Sequence, residues 1–242
     1  MSKIFITFCG GQRNFHDAAN RLYNQVLNLN LFNGMKIYTD KELKNDQNFW
    51  GKHQQFIKRN PRGWGCWIWK PYIIKKTVDM MKNGDILLYL DSGCEVDIRK
   101  KQRMKTCFNY AKRDLIVGSQ NCIERRWNKM DLMVEMDIID DKNLSSKQRE
   151  AGANMFYIND KTRKFVDKWY EIACQYHNID DSPSKFPNFH NFVEHRHDQS
   201  IFSLLSKKTG IYCKEYSINN AVEYIRNRSG KSRLITGNMK FI

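Results

Sequence analysis

The stretch Asp85 to Asp91 constrains this chain more than any other, because Ile86-Leu87-Leu88-Tyr89-Leu90 runs unbroken between two acids. A strand with one wet face alternates apolar and polar residues, so a short continuous run predicts a strand covered on both faces, as in the middle of a parallel sheet. The flanking segments offer the covers. Lys3 to Cys9 is β-branched and aromatic and stops at Gly10-Gly11, which reads as a buried first strand. Leu22, Val26 and Leu29 recur at helical spacing and predict a helix from about Phe15 to Leu29, closed by Asn33-Gly34 before a second strand, Met35 to Thr39. Residues 40–64 are polar and carry Asn60-Pro61-Arg62-Gly63, which predicts a loop with one short helix. Trp67-Ile68-Trp69-Lys70-Pro71 then leads into a helix over Tyr72 to Met81, with Pro71 at the first helical position, where its missing N–H costs nothing.

The alternation continues beyond the apolar run. Expected elements are a helix near 99–112, a strand at Leu115 to Gly118, a helix near 129–137, a strand at Asn154 to Ile158, a helix from Thr162 to about Tyr176, a helix from Asp198 to Lys207 and a strand at Gly210 to Cys213. Residues 178–194 read as the longest loop. This order predicts an α/β, Rossmann-like fold with a mostly parallel central sheet flanked by helices. The chain has 242 residues and no evident linker or repeat, so a single domain over 1–242 is expected, with a first half of about 1–100 and a second of about 101–242.

A net charge of +15, from 41 Lys and Arg against 26 Asp and Glu, points to polyanionic company: nucleic acid, an anionic membrane surface or phosphorylated small molecules. No RNP signature, zinc-finger spacing or Arg-Gly repeat is present, so a nucleic-acid role rests on bulk charge alone. The run Arg99 to Lys105, five cations in seven residues, reads as one solvated helix face. Seven scattered cysteines with no C-x-x-C pair predict neither a zinc site nor a disulfide framework and suit a reducing compartment. With no signal-like leader and no run of about 20 apolar residues, a cytoplasmic protein, at most membrane-associated, is expected.

Ligands of open α/β sheets bind outside the carboxyl ends of the strands. Two such ends carry chemistry. After the first strand, Phe8 and Cys9 lead to Gly10-Gly11-Gln12-Arg13, where glycines admit a close backbone approach and Arg13 offers a forked donor. After the apolar strand come Asp91-Ser92-Gly93-Cys94-Glu95-Val96-Asp97, where a strand-end carboxylate suits a hard cation shared with phosphates.

In this order and spacing the chain resembles the GT-A glycosyltransferases, and is similar to the retaining lipopolysaccharide and glycogenin-type enzymes and to glycosyltransferases of polysaccharide clusters and large DNA viruses. Asp91-Ser92-Gly93 stands in the place of the family's D-x-D motif. Trp67 to Pro71 resembles the helix start that presents a cation, here Lys70, to the sugar and diphosphate. Ala151 to Asn159 resembles the small-residue strand beside the donor sugar, with Gly152 at its centre and Glu150 where an Asn is commoner. His197-Asp198-Gln199-Ser200-Ile201 resembles the Asp-Gln pair under the reacting sugar. Glu124 to Asp131 resembles a further segment of the polysaccharide-cluster enzymes, in which Trp127, Lys129 and Asp131 would line the acceptor side, although a helix opening with a core Trp accounts for it equally well.

The resemblance implies a nucleotide-sugar co-substrate, UDP-linked, a Mn²⁺ or Mg²⁺ ion on Asp91, a glycan or glycolipid acceptor, Asp198 and Gln199 as catalytic residues, and retention of configuration. One departure matters: Gly93 replaces the second acid of the motif. Glu95 on a continuing strand would lie about 13 Å from Asp91, so only a turn after Gly93 would return it. Cations can take over part of the neutralising role, and Arg226 to Arg233, with Arg228 and Lys231, offers them. His195 and His197 read as loop residues orienting Asp198 rather than as zinc ligands, because no Cys lies at ligand spacing from them. The alternatives are a non-catalytic basic nucleic-acid-binding protein and a sugar-phosphate nucleotidyltransferase, the latter expected to carry a glycine-rich loop of which Gly10-Gly11 is a thin version.

Overall fold

A computed structural model describes residues 1–234. Its frame is a five-stranded sheet in the order β2-β1-β3-β6-β5, built from β1 (Lys3–Cys9), β2 (Gly34–Thr39), β3 (Ile86–Leu90), β5 (Ile116–Ile123) and β6 (Lys147–Tyr157). β1 pairs in parallel with both β2 and β3, while β6 runs antiparallel to β3 and to β5, so four strands share one direction and β6 opposes them. This is the mostly parallel, helix-flanked α/β sheet that the sequence predicts.

The strand period of two decides which side chains face which cover. From β3, Leu87 and Tyr89 join one buried cluster, with Ile73, Ile74 and Val78 of α5 (Trp69–Met80). Ile86, Leu88 and Leu90 join the other, with Leu22 and Val26 of α1 (Arg13–Asn28). All five residues of β3 are buried, as an unbroken apolar run requires. Helices α1 and α5 therefore cover opposite faces, and the carboxyl ends of β1 and β3, stitched by the Thr7 hydroxyl donating to Leu90 O at 2.7 Å, meet at the crevice between those covers.

Three expectations are corrected. Residues 40–64 are largely helical: α2 (Asp40–Asn45), α3 (Gln47–Arg59) and the one-turn α4 (Gly63–Cys66). A capping box between Thr39 and Glu42 opens α2, and Asp46 accepts from Asn48 N at the start of α3. The helical face of α3 is Phe49, His53, Phe56 and Ile57; the buried His53, held between the hydroxyls of Tyr170 and Tyr176, interrupts the apolar pattern. Second, β5 and β6 outrun their predicted spans because polar residues such as Gln120, Gln148 and Arg149 pair along them, with irregularities near Ser119 and Cys122. Third, Gly210 to Cys213 forms no strand; Cys213 N reaches Ile116 O at 2.8 Å and the ladder goes no further.

The remaining elements are β4 (Glu95–Val96), paired with β7 (Val222–Glu223) in a small second sheet, and the helices α6 (Lys101–Asp114), α7 (Met130–Glu135), α8 (Asp141–Leu144), α9 (Asp160–Ala173) and α10 (Asp198–Thr209). All seven cysteines are free. No helix among the described residues is long and apolar enough to cross a membrane.

Candidate active site

At the carboxyl edge, three residues far apart in sequence converge. Asp91 follows β3, Lys70 lies in the first turn of α5 and Asp198 opens α10. Lys70 Nζ stands 3.3 Å from Asp91 Oδ1 and 3.3 Å from Asp198 Oδ2. The side chains of Lys70 and Asp198 are each 4% exposed, whereas Asp91 is 30% exposed and so faces the open side. Burial raises the Asp198 carboxyl to about 6, since Lys70 offsets only part of that push and Asp91 adds to it. Burial alone would lower Lys70, but Asp198 and Asp91 outweigh it and hold the ammonium above its usual range.

Asp91 is further fixed by Tyr89, whose hydroxyl donates to Oδ1 at 2.5 Å, and by Tyr224, whose hydroxyl donates to Oδ2 at 3.3 Å. Tyr224 went unnoticed in the sequence because it lies in an irregular C-terminal stretch. It can reach Asp91 only because Gly152 has no side chain: a Cβ there would sit 2.2 Å from the Tyr224 oxygen and 2.6 Å from Asp91 Oδ2. Gly152 is thus beside Asp91, with Tyr224 filling the space it leaves.

The C-terminal stretch crosses this edge as a strap. Cys94 N donates to Asp91 O at 2.9 Å, so the chain does turn after Gly93, yet Glu95 does not return to Asp91. Glu95 is fully buried and pairs with Arg21 at 2.9 Å, and it accepts from Asn227 Nδ2, Gln25 Nε2, Arg233 N and the Ser232 hydroxyl. Burial would raise this carboxyl, but the bonds from Ser232, Arg233, Asn227 and Gln25 hold it down at about 2. Arg21 also donates to the carbonyls of Ser92, Cys94 and Asn227. Ser92 therefore serves through its backbone. Gly93 carries no acid for a steric reason: its Cβ would lie 3.1 Å from Arg226 Cα, where the strap lies with Asn227 N donating to Gly93 O.

The strap places Arg228 over the ring of Phe15 at 5.5 Å, beside the exposed Arg13 at the start of α1, with Lys231 exposed a turn further on. α1 has no side-chain cap and no acid in its first turn, which leaves its amide end favourable to an anion. Phe8 stacks on Trp69 at 3.9 Å beneath Gly10. The Cys9 thiol faces His16 Nδ1 at 3.2 Å, and burial, with Asp40 and Glu42, pushes it up to about 11, so it is not a nucleophile at neutral pH.

Both ends of the Gln199 amide are engaged, Nε2 donating to Gln148 Oε1 at 2.7 Å and Oε1 accepting from Ala151 N at 3.4 Å, which ties α10 to β6. Lys129 is 2% exposed and binds Asp180, His177 O and Ser182. Asp131 accepts from the amides of Lys185 and Phe186 and from His177. Trp127 carries Arg196 on its face at 4.0 Å, and its carbonyl accepts from Ser200. These three residues brace the loop before Asp198, and Lys129 lines, together with Asp180, Ser182 and Phe186 of that loop, a cavity of about 560 Å³.

Asp91 is the carboxylate that would hold a Mn²⁺ or Mg²⁺ ion at this edge. Such ions take oxygen ligands in number. Here one carboxylate is offered, Gly93 and Glu95 add none, and Lys70 and two phenols already occupy its oxygens. The site does not fit that ion.

No protein-family model and no curated protein matches the chain. Among solved structures, mouse xyloside xylosyltransferase 1 in its apo form is similar at 9% identity and a TM-score of 0.46, over 86% of this chain and 83% of that one. Mannose-6-phosphate isomerase from Helicobacter pylori is similar at 12% identity and a TM-score of 0.40, over 96% and 95%. Similarity this low assigns neither family nor chemistry, so the residues at the carboxyl edge carry the functional argument.

Proposed function

We propose that this protein is a glycosyltransferase that moves a sugar from a nucleotide-diphosphate donor, UDP-linked, to a hydroxyl of a glycan or glycolipid-type acceptor. The observation that supports it most is the Asp91–Lys70–Asp198 cluster, two carboxylates sharing one buried ammonium at the sheet's ligand-binding edge beneath a basic strap. Carboxylates of this kind accept hydrogen bonds from sugar hydroxyls. Arg13, Arg228 and Lys231, with the amide end of α1, would take the diphosphate and stabilise its charge as it departs. In the reaction, the bond from the anomeric carbon to the diphosphate oxygen breaks, the bond to the acceptor oxygen forms, and the acceptor's proton leaves with the diphosphate. Asp198 is buried and ion-paired, not open to an arriving acceptor as a base, which favours retention. Arg103 and Lys105, exposed on α6, leave a cationic surface for an anionic acceptor or membrane.

A melting-temperature panel of UDP-, GDP- and dTDP-sugars, each with and without Mn²⁺, tests the reading. A rise with a UDP-sugar that disappears in Asp91→Ala supports it. No response to any nucleotide sugar, together with tight, salt-dependent RNA binding, overturns it.

A further inference from the structure

A second constellation lies behind this edge, made of three side chains the chemistry above does not use. Cys66 Sγ, a carboxylate oxygen of Asp181 and a ring nitrogen of His197 lie within 4.8 Å of one another, the one such grouping among the described residues. We propose that Cys66, Asp181 and His197 form a three-ligand site for a zinc-type divalent ion, and that the ion clasps the turn before Lys70 to the helix start that carries Asp198.

The hydrogen bonding of His197 argues for a cation. Its Nδ1 lies 2.7 Å from Ile179 O, and a carbonyl only accepts, so Nδ1 carries the proton. Nε2 is then a bare lone pair. It is buried, with no hydrogen-bond partner, in a residue 3% exposed. Asp181 Oδ1 stands 3.6 Å away, itself an acceptor. Two acceptors and a thiol aimed at one buried point leave an unmade bond that a cation would satisfy. His195, two residues earlier, shows the contrast: its Nε2 meets Asn178 O at 2.8 Å and its Nδ1 accepts from Lys129 N at 3.2 Å, so it has nothing to offer an ion.

The donor types select the ion. A thiolate, an imidazole and a carboxylate suit Zn²⁺ and its neighbours in softness rather than Mg²⁺, Ca²⁺ or Mn²⁺. Thiolate and carboxylate together balance a double positive charge. Ligand atoms around a tetrahedral zinc stand about 3.4–3.8 Å apart, so the three need close by only about 1 Å. Asp181 can supply that movement, since its side chain is 48% exposed on a loop outside the regular elements. Arg62, 3.2 Å from Asp181, holds Glu194 at the same distance and keeps that partner when Asp181 turns. With three protein ligands the fourth position stays open to water.

The backbone is unusual at two of the ligands. Residues 63–67 all have positive φ, with Cys66 N donating to Arg62 O and Trp67 N to Gly63 O, a single left-handed helical turn. Gly63 and Gly65 adopt it freely, whereas Trp64, Cys66 and Trp67 each lose roughly 1–2 kcal/mol. His197 has φ 53° and ψ −127°. Such backbone is found where surrounding structure must fix a group in place, and here it aims Cys66 and His197 at one point. The pairing was invisible in the sequence, where 131 positions separate the two residues and no spacing motif connects them.

The test uses the whole chain, stripped of metal and titrated with Zn²⁺ against a chromophoric chelator, then with Co²⁺. One equivalent of zinc and a thiolate-to-cobalt charge-transfer band are expected. Cys66→Ser should abolish the band, and Asp181→Asn should weaken zinc at least about tenfold, while Cys122→Ser and Asp91→Asn leave both readings unchanged. Should Cys66→Ser fail to fold, the half-exposed Asp181→Asn carries the test. A cobalt spectrum without thiolate character, or zinc affinity the same in Asp181→Asn as in the wild type, overturns the proposal. Because Asp91→Asn belongs to the other site, loss of nucleotide-sugar binding leaves this outcome untouched.

Discussion

Lys70 Nζ lies 3.3 Å from Asp198 Oδ2 with both side chains all but closed to water, and the same ammonium reaches Asp91 at 3.3 Å on the open side. Buried ion pairs contribute little beyond an apolar replacement, but removing one partner strands the other charge at a cost of about 3–5 kcal/mol. Lys70→Met should therefore destabilise by that amount in urea unfolding, and Lys70→Met combined with Asp198→Asn should recover a large part of it. Additivity within about 0.5 kcal/mol would show that the two are not coupled.

The same burial makes Asp198 pH-sensitive. Its folded carboxyl is raised to about 6, above the ordinary value of about 3.9. The folded state therefore holds this proton more tightly than the unfolded chain, so the stability it contributes is present below about pH 4 and fades as pH rises through about 6. Carbon-detected NMR of the carboxyl should show its inflection near 6, moving further up in Lys70→Met. If donor hydroxyls bind the ionised form, activity should fall below about pH 6. An inflection in the ordinary range contradicts the burial argument.

Glu95 behaves in the opposite sense. Held at about 2, it contributes stability present above the usual carboxylate range and lost as pH falls from about 4.5 toward 2. Because its bonds anchor Asn227, Ser232 and Arg233, Glu95→Gln should free the strap as well as leave Arg21 without its anion. Limited proteolysis beyond Val222 should accelerate at least about tenfold, with a global loss of about 3 kcal/mol. Unchanged cleavage would mean the strap is held elsewhere.

Restoring the missing acid should not improve the site. Gly93→Asp brings a Cβ to 3.1 Å from Arg226 Cα and displaces the strap, so nucleotide-sugar affinity should fall. The conservative companion, Tyr224→Phe, removes one bond to Asp91 and should cost about 1 kcal/mol of binding, read by calorimetry. A gain of affinity in Gly93→Asp would show that the strap does not belong over the donor.

The sequence was informative where physical periodicity is strong. The apolar run at Ile86–Leu90 and the first strand, ending at Cys9, stand where their patterns put them, the helix expected to open at Pro71 starts two residues earlier at Trp69, and Lys70, Asp91, Gly152 and Asp198 do converge. Local pattern failed where a polar residue fills a core position, as His53 does in α3, and where paired strands carry Gln148 and Arg149. It failed again where long-range contact decides the role. Glu95, which strand geometry puts too far from Asp91 to share an ion unless the chain turns, is the strap's anchor, and Lys129 and Asp131, for which an acceptor-side role and a plain helix start fit the sequence equally well, hold the loop before Asp198. Tyr224 and Cys66 carry no local signal, since each acquires its meaning from a partner more than a hundred residues away.

Asp91 and Lys70 are proposed to hold a nucleotide sugar under the basic strap. Calorimetric titration of the whole chain with the UDP-sugar that gives the largest melting shift tests it most directly. One equivalent should bind, at least about tenfold more weakly in Asp91→Asn and in Arg228→Ala with melting temperatures kept, and more weakly as salt rises, as a phosphate-bearing ligand requires. No binding, or equal affinity in wild type and Asp91→Asn, would contradict it.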